Sequence, residues 1–228
     1  MSQPEQVKPI EQSPMSAASA MPPIALRVPP EIWAMVHRHV RYGDLKRFGG
    51  VCKDFQKIIE APRYGLRLFR KKPTGTLAAG TKLAIHPMLD KVNCVGQKQD
   101  IAKILLFGRG DSDKVIELNG FDFAAADEFA TVPACTKMKL EMNERKCGSV
   151  SNVNGVTARQ VIKAALKYWN GPVTGNVATR VRSEWQWPAN HPVTRFDTLG
   201  DHRFFEGWEY GQVGADGTVT LHARWFGS

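Results

Sequence analysis

Residues 137–169 read KMKLEMNERKCGSVSNVNGVTARQVIKAALKYW, and two different periods follow one another in them. Over Lys137–Met142 charged and apolar residues alternate one by one, the period of a strand with one face buried and the other in water. From Thr157 the period becomes helical. Thr157 with Gln160 three residues later forms a capping-box pair, and Val161, Ile162, Ala165, Leu166 and Trp169 fall on one stripe. Gly171-Pro172 stops the helix. A half-buried strand followed by an amphipathic helix within one domain predicts an α+β fold with an antiparallel sheet.

The domain extends outward from this stretch. Phe204–Tyr210 and Thr218–Trp225, joined around Gly214-Ala215-Asp216-Gly217, read as a closing antiparallel pair. On the other side, Val115–Leu118, then Asn119-Gly120, then Phe121–Phe123 read as a hairpin with a two-residue turn. The domain is thus expected over 83–228. Most of the aromatic group Trp185, Trp187, Phe204, Phe205, Trp208, Tyr210 and Trp225 is expected in its core. Residues 70–82, RKKPTGTLAAGTK, lack any period and are expected to be a linker or a tight connection.

Residues 25–69 read as a separate helical module. Pro29-Pro30 opens a helix with Ile32, Met35, Val36 and Val40 on one stripe, and Gly43 ends it. Asp44 is placed to cap a second helix holding Leu45 and Phe48. Gly49-Gly50, at about 1 kcal/mol of helix propensity each, predicts a break. A third helix then carries Val51, Cys52, Phe55, Ile58 and Ile59 up to Pro62. Three short helices near the ~40-residue limit for independent folding cannot bury that many apolar side chains alone. Residues 1–24, with five prolines and no aromatic residue, are expected to be a disordered tail, in which Ser13-Pro14 is an ordinary tail dipeptide.

The 228 residues are 43% apolar and 23% charged, a globular composition. No apolar run approaches the ~18 residues of a membrane span, and no basic stretch leads into a hydrophobic N-terminal segment. The expected setting is therefore the cytoplasm or nucleus. Cys52, Cys94, Cys135 and Cys147 are scattered without a CxxC pair, so reduced, buried or half-buried thiols are expected. The net charge of +9 is concentrated: residues 25–72 carry twelve Lys or Arg against four acids, whereas 73–228 carry eighteen against sixteen. Such a segment suits an acidic partner.

Chemical signatures are sparse. No G-x-G-x-x-G, Walker, H-E-x-x-H or G-x-S-x-G sequence occurs, and no cofactor or metal is implied. Asp197, Asp201 and His202 could share a metal or a proton, but Asp, Gly and His between apolar strands more often form turns. Arg109-Gly110-Asp111 reads as a loop.

Two resemblances emerge from the residues. Val28-Pro29-Pro30-Glu31-Ile32, Asp44-Leu45, Val51-Cys52-Lys53-Asp54-Phe55 and Ile58-Ile59 resemble, in order and spacing, the F-box family over residues 26–69, with Val28 where that family usually has Leu. The resemblance implies a three-helix module docking on an acidic Skp-type adaptor through Val28, Pro29, Pro30, Glu31, Ile32, Val36, Leu45, Val51, Cys52 and Phe55. It also implies a link through the adaptor to an SCF-type cullin-RING ubiquitin ligase. His86-Pro87, Ala130-Thr131-x-Pro133, Gly155-Val156-Thr157, Pro172-Val173-Thr174, Phe196-Asp197-x-Leu199-Gly200 and Phe205-x-Gly207-Trp208 resemble a domain of unknown function found mainly in fungal proteins. That family often repeats Pro after Thr-x-Pro, where this chain has Ala134.

The expected function is a non-enzymatic substrate receptor: the helical module binds the adaptor and the 83–228 domain selects an unidentified protein for ubiquitin-dependent degradation. An adaptor complex without ligase activity is the near alternative. A nucleic-acid-binding module is the second, with Arg38, Arg41, Lys46, Arg47, Lys53, Lys57, Arg63, Arg67, Arg70, Lys71 and Lys72 facing phosphates. An enzyme using Asp197, Asp201 and His202 is the third.

Overall fold

The structure, a computed structural model, describes residues 27–92, 103–107, 115–142, 145–200, 204–205, 207–224 and 226–227. The expectations for the tail, Ser13-Pro14, Cys94, Arg109-Gly110-Asp111, Asp201, His202 and Trp225 lie outside these residues. The fold is α+β, as the sequence predicts, with three helices between residues 30 and 60. No described helix is long and apolar enough to cross a membrane.

The chain divides into two compact units, 1–41 and 42–228. The first contains α1 (Pro30–His37), with Pro30 in its first turn, where a missing N–H costs nothing. It ends at His37, so Val40 lies beyond it.

The second unit begins with α2 (Tyr42–Val51) and α3 (Lys53–Glu60). Here the sequence reading needs correction. Gly43 lies inside α2, Asp44 pairs with Arg47 in the first turn at 2.6 Å, and the helix runs through Gly49-Gly50 to a break at Cys52. A Cβ at Gly49 would collide with the side chain of Ile59. The glycine is therefore a seat for α3, and close packing offsets its propensity cost. Phe48 and Phe55 stack across the same contact, 4.1 Å between centroids.

The division into units also differs from the expected one at 70–82. That segment, which follows the 3-10 turn Pro62–Tyr64, is irregular but packed: a Cβ on Gly217, which has φ +73°, would collide with Thr76 and crowd the Leu77 backbone. Leu77 packs against the main core. The connection is packed against the C-terminal hairpin turn, the tight connection of the two forms expected for it.

After β1 (Ala84–Ile85) and α4 (Pro87–Lys91), the antiparallel pair β2 (Lys103–Phe107) and β3 (Val115–Asn119) is followed by the 3-10 turn Gly120–Asp122. Phe121–Phe123 is thus no strand, contrary to the hairpin reading. The Asn119 side chain accepts the Phe121 N–H at 3.1 Å and bends the chain into that turn. A second 3-10 turn, Ala124–Asp127, leads to β4 (Thr131–Val132), which pairs with β1.

The main sheet has the order β6-β5-β9-β8, from β5 (Lys137–Met142), β6 (Arg145–Ser151), β8 (Trp208–Val213) and β9 (Val219–Ala223); a short β7 (Phe204–Phe205) pairs with β10 (Phe226–Gly227). All neighbours in the main sheet are antiparallel except β5 and β9, which run parallel with Met138 beside Val219 and Leu140 beside Leu221. The alternation in β5 reads true: Met138, Leu140 and Met142 are buried while Lys137 and Lys139 are exposed. The predicted pairing around Gly214–Gly217 is present as β8 with β9.

Helix α5 (Ala158–Trp169) lays Val161, Ile162 and Leu166 on this sheet, and its capping box is formed as predicted: Gln160 N–H donates to Thr157 and the Thr157 N–H donates to the Gln160 side chain. Thr157→Ala removes one of these partners and is expected to cost about 1 kcal/mol, read as a fall of about 2–4 °C in Tm for a unit of this size. Helix α6 (Gly175–Glu184), not foreseen in the sequence, buries Ala178 and Val181 in a satellite cluster with Val193. Of the aromatic group, Trp208 is core, whereas Trp185 is exposed and stacks on Trp187.

Candidate functional site

Two features stand out: the apolar face of α1 and a buried carboxylate at Glu128. On α1, Ile32, Met35 and Val36 are 46%, 59% and 47% exposed. They fall at spacings of three and four on a helix of eight residues, which has little stability of its own. Val28 is half-buried, and Pro29, Pro30 and Glu31 are exposed. These belong to the first unit.

The remaining adaptor-facing positions belong to the second unit and divide sharply. Val51 is exposed and Cys52 half-buried, but Leu45 is fully buried and Phe55 nearly so. Leu45 and Phe55 are occupied in packing α2 and α3, so neither is available to a partner in this conformation.

Glu128 lies 7% exposed between three stretches of chain. Its Oε1 accepts from Lys46 Nζ at 2.6 Å and Arg70 Nε at 2.9 Å; its Oε2 accepts from Tyr42 at 2.6 Å and lies 3.2 Å from His86 Nε2. His86 is fully buried, and its Nδ1 accepts the Met88 N–H, capping α4. That bond leaves the ring proton on Nε2, which donates to Glu128. The imidazole sits between the rings of Tyr42 and Phe69, edge to face at 5.0 and 4.7 Å.

Local backbone geometry delivers these groups. Phe69 adopts φ +55°, a left-handed conformation uncommon for a non-glycine residue. The turn aims the Phe69 ring at His86 and the next side chain, Arg70, at Glu128. The Phe69 carbonyl accepts the Phe129 N–H at 2.8 Å, and the Glu128 carbonyl accepts the Ala158 N–H at the start of α5. Asp127, the neighbouring acid, turns outward to a bidentate pair with Arg159 at 2.6 and 2.9 Å. Several pieces of the second resemblance, His86-Pro87, Ala130-Thr131 and Gly155-Val156-Thr157, meet around this point through backbone bonds from His86 to Ala130 and from Ala130 to Val156.

Burial by itself would raise the Glu128 carboxyl, but hydrogen bonds from His86, Lys46 and Tyr42 outweigh it and hold the group at about 2. Burial and the Glu128 charge push the Tyr42 phenol well above its ordinary value. A carboxylate this acidic, with both oxygens doubly engaged, is a poor proton acceptor near neutral pH. The cluster therefore acts as an electrostatic tie.

The tie bears on the other site residues too. Lys46 and Arg70, two of the cations assigned to phosphates, face Glu128, while Arg47 and Lys57 pair with Asp44 and Asp54. Asp197 accepts from the Thr194 N–H and hydroxyl at 2.8 and 2.7 Å, the turn-forming role. Among the described residues, no group of three His, Cys, Asp or Glu is placed to hold a metal ion. Cys135 and Cys147 are free and buried, and burial pushes the Cys147 thiol up to about 12.

Comparison with known protein families, with curated proteins and with solved structures gives no match to this chain.

Proposed function

We propose that this chain is a non-enzymatic docking protein of F-box type, in which α1 engages an acidic Skp-type adaptor and the α+β unit presents a target to an SCF-type cullin-RING ubiquitin ligase. The observation that carries this reading is the exposure of Ile32, Met35 and Val36 together on one short helix opened by Pro29-Pro30. Burying each such side chain contributes about 1.5–3 kcal/mol, enough in sum to offset much of the association cost. The excess of cations over residues 25–72 suits encounter with an acidic surface, an effect on association rate and specificity more than on affinity.

The test is calorimetry of the full chain with a purified fungal Skp-type adaptor. Ile32→Asp and Met35→Asp are the informative variants, because both positions are exposed and the urea midpoint should not move. Each is expected to weaken binding by about 100-fold, and the wild-type affinity should tolerate added salt. Leu45→Ala is unsuitable, since its burial makes lost binding and lost folding look alike. Absence of binding at micromolar concentrations, or equal binding by wild type and both variants, overturns the reading.

A further inference from the structure

A cavity of about 510 Å³ opens in the α+β unit between the C-terminal end of α5, the start of α6 and the 3-10 turn Phe196–Leu199. Its walls are Met142, Tyr168, Trp169, Val177 and Leu199, with Arg195 as the charged residue among those described. The volume falls within the usual range of small-ligand sites, about 300–1,000 Å³, and the lining is mixed, with apolar side chains alongside the polar groups of Arg195, Thr198 and the Tyr168 ring.

The guanidinium is held in place. Nη1 donates to the Tyr168 carbonyl at 2.9 Å, and the group lies over the Tyr168 ring at 4.5 Å from its centroid. The Arg195 backbone N–H donates to the Gly171 carbonyl at 2.9 Å. A Cβ on Gly171 would collide with Nη1, so the bare glycine makes room for the guanidinium. Trp169 is braced by its Nε1–H donating to Met142 Sδ at 3.2 Å. Among the described residues no carboxylate lies within ion-pair distance of Arg195; the nearby Asp197 is engaged by Thr194. Val177, 42% exposed, and the exposed Thr198 place the mouth in solvent.

We infer that this pocket binds the C-terminal end of a peptide chain: a bulky apolar last side chain between Trp169, Met142 and Leu199, and the terminal carboxylate on Arg195. The charge complementarity selects an anion, since a planar guanidinium matches a carboxylate in two-point geometry. The apolar walls select the side chain next to it, and the open mouth lets the rest of the peptide leave toward solvent past Val177. As the target-reading site of the receptor described above, the pocket takes its biological role from that reading, while peptide binding is measured without the adaptor.

The test is fluorescence anisotropy with the full chain and a short peptide, labelled at its N-terminus, that ends in Leu with a free carboxylate. The same peptide with a C-terminal amide is expected to bind about tenfold or more weakly, the loss of a charge-assisted hydrogen-bonded pair. This comparison uses wild-type protein and is independent of any folding defect. Val177→Glu, at an exposed position, places a like charge at the mouth and should weaken the acid peptide more than the amide. Gly171→Ala should erase the preference between them by displacing the guanidinium. Equal affinity for acid and amide, or no binding of either, overturns the inference. So does competition by 3-phenylpropionate as strong as by the unlabelled peptide, which would make a small carboxylate the occupant.

Discussion

Glu128→Gln lowers the unfolding free energy by about 3 kcal/mol at neutral pH and by almost nothing near pH 2. The carboxyl moves from its ordinary 4.5 to about 2 on folding, because three hydrogen-bond donors and the charge of Lys46 outweigh the penalty of burying it. A group whose folded value is depressed stabilises the fold above its unfolded value, and the contribution fades as pH falls from about 4.5 to about 2. That displacement is worth about 3 kcal/mol, at the lower end of the ~3–5 kcal/mol typical of removing one partner of a buried charge pair. The lower end is appropriate because Arg70 keeps 39% of its side chain in solvent, where its charge is screened. The measurement is urea unfolding of wild type and variant at several pH values. The two stabilities should converge in acid, and a constant gap down to pH 2 would show that shape, rather than charge, accounts for the loss.

Leu140→Ala carries the other large effect, about 4 kcal/mol. Leu140 is fully buried, beside Leu221 on the parallel neighbour and Gly148 on the antiparallel one. Leu→Ala in a core costs about 2–5 kcal/mol, more where the surroundings cannot relax into the void. Here one flank is glycine, which has no side chain to move inward, and helix α5 lies close: a Cβ at Gly148 would sit 3.4 Å from both Leu140 Cδ1 and the Ala164 carbonyl oxygen. The same geometry predicts partial rescue. In Leu140→Ala, the further change Gly148→Ala refills part of the space, so the double variant should be more stable than the sum of the singles by about 0.5 kcal/mol or more. Additivity in the double-mutant cycle would contradict this packing.

What could be read in the sequence was local. The β5 alternation and the Thr157–Gln160 capping box each involve residues a few positions apart, and both are present as read. The Glu128 tie carries no such signal: Tyr42, Lys46, Arg70 and His86 lie 86, 82, 58 and 42 residues away along the chain. Within its own segment a glutamate beside Asp127 looks like an ordinary surface acid. Gly49 misled for a related reason, since propensity reports the cost of glycine in a helix but is blind to the Ile59 side chain arriving from the next one. The Arg195 pocket is likewise assembled from β5, α5, α6 and a 3-10 turn with no spacing that announces it. On α1, by contrast, the apolar stripe was visible, and so was the surplus of apolar side chains that leaves Ile32, Met35 and Val36 in water.

The parallel pairing of β5 with β9 has a consequence for the order in which the chain emerges from the ribosome. β9 occupies an interior position of the sheet, between β5 and β8, yet it is synthesised only after β5, β6, helices α5 and α6, and β8. Until then the β5–β6 hairpin presents an open edge, the kind of surface on which nascent chains pair wrongly with one another. The exposed Lys137 and Lys139 set like charges along that strand, and like charges on an open strand disfavour such pairing.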